Sequence, residues 1–413
     1  MSTAVSIKPS TRITTIDVIR GVAVLGILLL NVQTFAMPFE AYSNPTAYGD
    51  LEGLNYWVWY FTSLLGDQKF MTIFSMLFGA GLILFTDRLE QTGRPAVALH
   101  CRRMGWLLLI GLLHAYLIWY GDILVSYAIC GLVVIWMRKL PSLWMLLIGI
   151  MLLIIPFLIF LSMGGLLLLI PADQKDPGLL AMMDPFKNIS QQLEAYSGSY
   201  VGQFEHRVPA ALMAQTFVMA IFSFGRVCGL MLIGMVCYRK GLFSGTCSVA
   251  TYAWLLAIGI LFGIPIVWWG IEAKWEVEWE FIRSEFLLSQ FNYWGSILVA
   301  FGWIALIVLF VKSGMLDFLR HALSCVGRMA LSNYLIQSLA CSLIFYGHGL
   351  GYFGEMERTS QFLLVLVISA AQLVWSPLWL SYFRFGPFEW LWRCLTYWSV
   401  QPIRKMNRVI PEA

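Results

Sequence analysis

The sequence predicts an all-α polytopic membrane protein with about ten transmembrane helices and both termini cytoplasmic. Three observations predict it. Of the 413 residues, 59% are hydrophobic and only 12% charged, where a soluble domain carries roughly 25% charged residues. Apolar runs recur along the whole chain at lengths near the ~20 residues that cross a hydrocarbon layer as a helix. The mean hydropathy is +0.75, which excludes a soluble globular enzyme. The net charge of +4 is scattered between apolar segments rather than clustered, which argues against a nucleic-acid partner. The eight cysteines contain no C-x-x-C pair and suggest neither a disulfide framework nor a metal site.

Apolar windows bounded by charge place the spans near 16–37, 66–86, 104–121, 123–138, 143–171, 211–238, 250–270, 292–312, 328–348 and 361–383. The first follows a basic stretch, but Asp17 and Arg20 interrupt its start and no small-residue cleavage site follows, so it reads as a retained span. An even number of spans puts the termini on one side. With that side cytoplasmic, eighteen Lys and Arg lie inside, against Lys175, Lys187, Arg207, Lys274, Arg283 and Arg358 outside. This is the bias that retention of basic residues in the cytoplasm produces. The chain then forms one integral-membrane domain, 1–413, with larger periplasmic connectors at 172–210 and 271–291 and a cytoplasmic amphipathic tail at 384–413. The acidic-aromatic run of the second connector reads as an interfacial helix, and the tail as a surface helix beginning at Pro387.

Ionisable groups at membrane depth cost a few kcal/mol each and need a partner, a wet cavity or a role. Asp17 and Arg20, spaced i, i+3, share a helix face where they can pair or hold an incoming anion. Asn31 lies roughly 16 Å further along the same helix. Asp67 and Lys69 open the second span, whose glycines suit close helix packing. His114 is the one histidine well inside a predicted span. It reads either as a proton-transfer group oriented by Asp122 or as a helix-helix hydrogen bonder. Eight residues of straight helix separate the two by roughly 12 Å, so their contact requires a break near Tyr120 and Gly121. Arg226 sits too deep to snorkel with ease. Arg328, Asn333, Tyr334 and Gln337 form a polar stripe that either lines a conduit or joins two helices.

These residues together form a pattern. Asp17-Val18-Ile19-Arg20-Gly21 leads to Leu30-Asn31-Val32. Lys69-Phe70 runs on to Leu77-Phe78-Gly79-Ala80-Gly81, and His114 precedes Gly121-Asp122-Ile123-Leu124. Gly327-Arg328-Met329-Ala330-Leu331-Ser332-Asn333-Tyr334 and Gly386-Pro387-Phe388-Glu389-Trp390-Leu391-Trp392-Arg393 complete the order. Over nearly the whole chain this resembles the YeiB family of bacterial inner-membrane proteins. In its N-terminal pattern that family is similar to the transmembrane acyltransferase superfamily, which includes heparan-α-glucosaminide N-acetyltransferase. The chain has no histidine between Asn31 and His100, which leaves His114 as the counterpart, by role, of that enzyme's histidine.

The resemblance implies transfer of an acyl group, acetyl above all, from acetyl-CoA or another acyl-CoA in the cytoplasm to a periplasmic hydroxyl or amine. His114 would be base or acyl carrier, Asp122 would orient it, and Asn31 would steady the carbonyl oxygen. Arg20, Arg102, Arg103 and Arg328 would contact the donor phosphates at the cytoplasmic mouth. Asp17, Lys69, Arg226, Asn333 and Gln337 would line the substrate path, and no metal is expected. The expected partners are membrane lipids and a small-molecule or glycan acceptor, with a homo-oligomer left open. The rival reading is a proton-coupled transporter or flippase of an anionic or lipid-linked solute, which would use the same embedded charges.

Overall fold

The computed structural model describes residues 13–405 apart from 172, 173, 175, 177, 179–183, 185 and 187. The basic residues Lys8, Arg12, Lys175, Lys187 and Arg408, and the tail beyond 405, lie outside the described residues. Among the described residues the chain is helical, with one isolated bridge between Phe383 and Arg404 in place of any sheet. Eight stretches are long and apolar enough to cross a membrane, and two shorter apolar helices, Leu124–Met137 and Ala330–Phe345, lie where spans 123–138 and 328–348 are expected. The protein is a multi-pass α-helical membrane protein.

Helix α1 (Thr14–Ala36) is the centre of the packing. Two thirds of its most apolar window is buried, against 22% for the Ser142–Leu169 helix, whose side chains are left for lipid. Ile16, Ile19, Ala23 and Ile27 of α1 share one core cluster with Phe70, Ile73, Met76, Leu77 and Ala80. Small residues let backbones touch. A Cβ on Gly21 would strike the Leu323 carbonyl, and one on Gly327 the Asp17 carbonyl. Gly79 and Gly234 stand in the same relation to Met231 and Met76. Without a hydrophobic drive between helices in lipid, such close approach supplies the dispersion contact that holds them.

Several boundaries move. The span expected at 66–86 is helix Lys69–Gln91, preceded by a separate helix, Gly53–Leu65, and a break at Gly66–Gln68 where Gln68 has φ 62°. The large connector expected at 271–291 is absent. The preceding helix runs to Glu276, Glu278 and Trp279 turn the chain at φ 51° and 58°, and the next helical stretch opens at Ile282. The acidic-aromatic run is therefore a helix end and turn rather than an interfacial helix. Its Trp275 and Trp279 rings each meet Trp59 at 5.8 Å, and Tyr60 donates to Glu272 at 3.0 Å. Those partners lie on the Gly53–Leu65 helix, which was not among the expected spans.

In the 172–210 connector, helix Ile189–Ser197 folds back so that Tyr196 stacks on Tyr346, ring centres 4.7 Å apart, and the next helix starts at Phe204 rather than 211. Arg207 is fully buried there, donating to the Leu117 carbonyl at 2.8 Å and to Gln203 at 2.7 Å. In the tail, helix Pro387–Tyr397 forms as expected. Its Glu389 accepts from the Leu331 and Ser332 amides at 2.7 and 3.1 Å and from the Ser332 hydroxyl. An acidic cap on exposed amides of a helix start is favourable.

Candidate functional site

The site begins where the Ala96–Leu117 helix stops. Trp119 is buried, stacked on Phe35 at 4.3 Å, and its indole fills the space a side chain on Gly121 would need. The chain turns there and Leu124 starts the next helix. This break, at the position the spacing demands, brings Asp122 back onto His114. The His114 Nδ1 lies 2.8 Å from Asp122 Oδ1, while Asp122 Oδ2 accepts the Val125 amide at 2.8 Å. Both side chains are 1% exposed. The carboxylate therefore holds hydrogen on Nδ1 and orients the ring, and Nε2 is buried with no partner.

Two cavities flank this pair. The first, of about 200 Å³, has Arg20, Arg103, Arg328, Arg393 and Glu389 on the face where α1 begins, and Ile123, Leu124 and Tyr334 at depth. The second, of about 130 Å³, opens toward the other face between Asn31, Tyr42, Asp67, Gln68, Trp119, Tyr120 and Gly121. Gly121 lines one cavity and Ile123 the other, with Asp122 between them. The His114 ring lies 5.1 Å from that of Tyr334 in the first cavity and 6.3 Å from that of Trp119 in the second. Gly81 also borders the first cavity, and nothing lies within 4 Å of where its Cβ would stand.

The basic mouth differs from expectation by two residues. Arg102 is turned away from it. It donates to the Thr396 carbonyl at 3.3 Å with its guanidinium 4.4 Å over the Trp398 ring. One residue along a helix rotates the side chain by about 100°, so Arg103 faces the cavity and Arg102 the surface helix. Arg103 lies between the Phe85 and Trp392 rings at 4.7 and 4.2 Å. The fourth arginine is Arg393, which the sequence reading placed on a surface helix and not in the site; its proximity to Trp392 and Glu389 in one motif was the available signal. Burial pushes the Glu389 carboxyl up, against the hydrogen bonds from Ser332 and Leu331 that pull it down.

The remaining candidates lie elsewhere. Asp17 pairs with Arg20 at 3.3 Å. Lys69, fully buried, donates to the Ser63 carbonyl at 2.9 Å and to Asn292 at 2.7 Å, and Asn292 donates on to Asp67 at 2.6 Å. Arg226 donates to the Tyr293 carbonyl at 3.0 Å, to Thr72 at 3.2 Å and to Ser296 at 2.8 Å. Neither base lines either cavity; His114 and Asp122 are not in the linings either, but their neighbours Gly121, Ile123 and Tyr334 are. Asn333 bonds Val326 and Ser376 at 3.1 Å and accepts from Trp375 at 3.2 Å, while Gln337 donates to Gln372 at 2.8 Å. Asn333 and Gln337 thus join helix Ala330–Phe345 to helix Arg358–Tyr382 and line neither cavity, whereas Arg328 and Tyr334 of the same stripe line the first.

Known proteins resemble the chain over nearly its full length. It is 35% identical over 410 residues to the "Uncharacterized protein YeiB" of Escherichia coli (strain K12), covering 96% of this chain and 100% of that one. It is 30% identical over 433 residues to the "Uncharacterized protein YxaH" of Bacillus subtilis (strain 168), covering 96% and 97%. It is 28% identical over 400 residues to a 39.9 kDa protein encoded in the amylase 3' region of Bacillus acidopullulyticus, covering 95% and 96%. A family model described as "Protein of unknown function (DUF418)" matches residues 237–399. No solved structure matches the chain.

Proposed function

The chain belongs to the YeiB family, and from that membership, together with a buried His–Asp pair standing between two cavities, we propose that it is a transmembrane acyltransferase of the bacterial inner membrane. The observation that carries this reading is the position of the pair: Gly121 borders one cavity, Ile123 the other, and Asp122 holds His114 between them. A donor entering from the cytoplasm meets Arg20, Arg103, Arg328 and Arg393, whose guanidiniums suit the phosphates of an acyl-CoA. Its thioester arm extends toward Tyr334 and the dyad. The acceptor enters the opposite cavity.

In the transfer, His114 Nε2 takes the proton of the acceptor hydroxyl as its oxygen attacks the thioester carbonyl carbon. The new C–O bond forms, the C–S bond breaks, and the CoA thiolate leaves with the proton returned from the imidazolium. Asp122 stabilises that imidazolium and keeps the ring in register. Asn31, which lines the outer cavity, is the amide donor assigned to the tetrahedral oxyanion. The test is calorimetric titration of the purified protein with acetyl-CoA and CoA, followed by labelled acetyl transfer in membranes that contain it. Saturable CoA binding and label in a product other than water-released acetate are expected. A protein that binds no CoA removes the donor and with it the acyltransferase.

A further inference from the structure

We infer that a third cavity, apart from the dyad, binds a small zwitterion that carries an acid group and an ammonium, with the chemistry of ethanolamine phosphate. The inference does not rest on acyl transfer. The cavity, of about 70 Å³, lies where the Gly53–Leu65 helix meets the turn after Glu276, and Tyr42, Trp59, Asp67, Lys274, Trp279 and Asn292 are in its wall. It shares Tyr42 and Asp67 with the second cavity and no residue with the first. Its donors lack acceptors. The Trp279 indole is buried, and its Nε1, which can only donate, has no partner. Lys274 stands 5.3 Å from that ring, and its ion-pair partner Glu285 is 3.9 Å away, beyond hydrogen-bond reach. Glu278 and Trp279 turn the chain at φ 51° and 58°, a left-handed backbone unfavourable for residues with side chains, and so fix the indole in this wall. An acid group placed between Lys274 and the indole would satisfy both.

A simple anion does not fit the rest of the site. The same turn carries Glu276, Glu278 and Glu280, all exposed, and Asp67 lines the cavity itself. Asp67 accepts the Tyr42 hydroxyl at 2.5 Å on one oxygen and the Asn292 amide at 2.6 Å on the other. Both partners are neutral, and lone pairs remain on both oxygens for an ammonium. Carboxylates so placed repel a lone anion and draw a cation, so the acid group that suits Lys274 and Trp279 must arrive with an ammonium of its own. Exposed Trp57, Trp268 and Trp269 set this end of the fold at the level of lipid headgroups. There the same chemistry is offered by a phosphatidylethanolamine headgroup and by a soluble zwitterion.

The test is ligand-observed NMR of the full chain in phosphatidylglycerol nanodiscs, titrated with O-phosphoethanolamine, ethanolamine and glycerol 3-phosphate. O-phosphoethanolamine is expected to saturate, with ethanolamine and glycerol 3-phosphate each about tenfold weaker or more. Lys274→Gln should weaken it by about tenfold, as should Trp279→Phe, which keeps a ring and removes the N–H. If Trp279→Phe fails to fold, Lys274→Gln decides. Repeating the titration in nanodiscs that contain phosphatidylethanolamine separates the two sources: lost saturation makes the lipid headgroup the occupant, and unchanged saturation a soluble zwitterion. No saturation in phosphatidylglycerol nanodiscs, equal binding of ethanolamine or glycerol 3-phosphate, or parent-like binding by Lys274→Gln overturns the inference.

Discussion

Two clusters of ionisable groups lie deep in this protein, and they are built on opposite terms. In the first, His114 and Asp122 are joined by one 2.8 Å contact, the remaining imidazole nitrogen is buried without a partner, and the residues on either side of Asp122 line two different cavities. In the second, Lys69, Asp67, Asn292 and Arg226 draw on neighbouring hydroxyls and carbonyls, and Arg226 alone donates to three groups. Both clusters bear the cost of charge or polarity at membrane depth. The second recovers it within the protein, which is what a structural network does. The first leaves one group waiting, which is what chemistry needs.

The largest expected effect follows from that unpaired nitrogen. His114→Ala should lower labelled acetyl transfer by about 10²–10⁴, the span of a general base, with CoA affinity close to the parent and a melting temperature lowered by the buried Asp122 oxygen left without its partner. Asp122→Asn should lower it less, through the tautomer. Full turnover in His114→Ala would make the pair structural and equate the two clusters.

Next is the saturated network. Arg226→Met should act on stability rather than chemistry, costing about 1–3 kcal/mol for each acceptor left unpaired, read as a lower melting temperature in detergent. A variant with parent-like melting but no acetyl transfer would place Arg226 in the reaction and erase the contrast.

The smallest effect compares neighbours at the basic mouth. Removing a charge-assisted contact costs about 1.5–3 kcal/mol, so Arg393→Gln should weaken CoA binding by about tenfold or more in calorimetry. Arg102→Gln, whose parent side chain lies over Trp398, should shift it little. Equal losses in the two variants would mean that the mouth reads charge at a distance rather than by contact.

Much of this was legible in the chain. The break at Tyr120 and Gly121 follows from arithmetic once His114 and Asp122 are suspected of touching, and Gly79 announced a close crossing. The inward side of Arg393 and the Gly53–Leu65 helix were not legible. The first sits on a short surface helix whose inward face depends on docking, and the second carries its aromatics so evenly that only its contacts with Trp275 and Trp279 single it out.

By itself the sequence determined the class of protein, the order of the apolar spans it located and the ionisable residues those spans carry, but not the burial of Arg207 and Arg358, which it placed in outside connectors. Composition and period are local properties: twenty apolar residues must satisfy their backbone hydrogen bonds as a helix wherever they lie in a bilayer. Tertiary structure alone decided which of those residues are spent and which are free. Arg102 and Arg103 differ by about 100° of helix rotation, and Lys69 and His114 differ by what the neighbouring helices bring. Those are distances between segments far apart in the chain, set by how the helices pack and not by the residues each one carries.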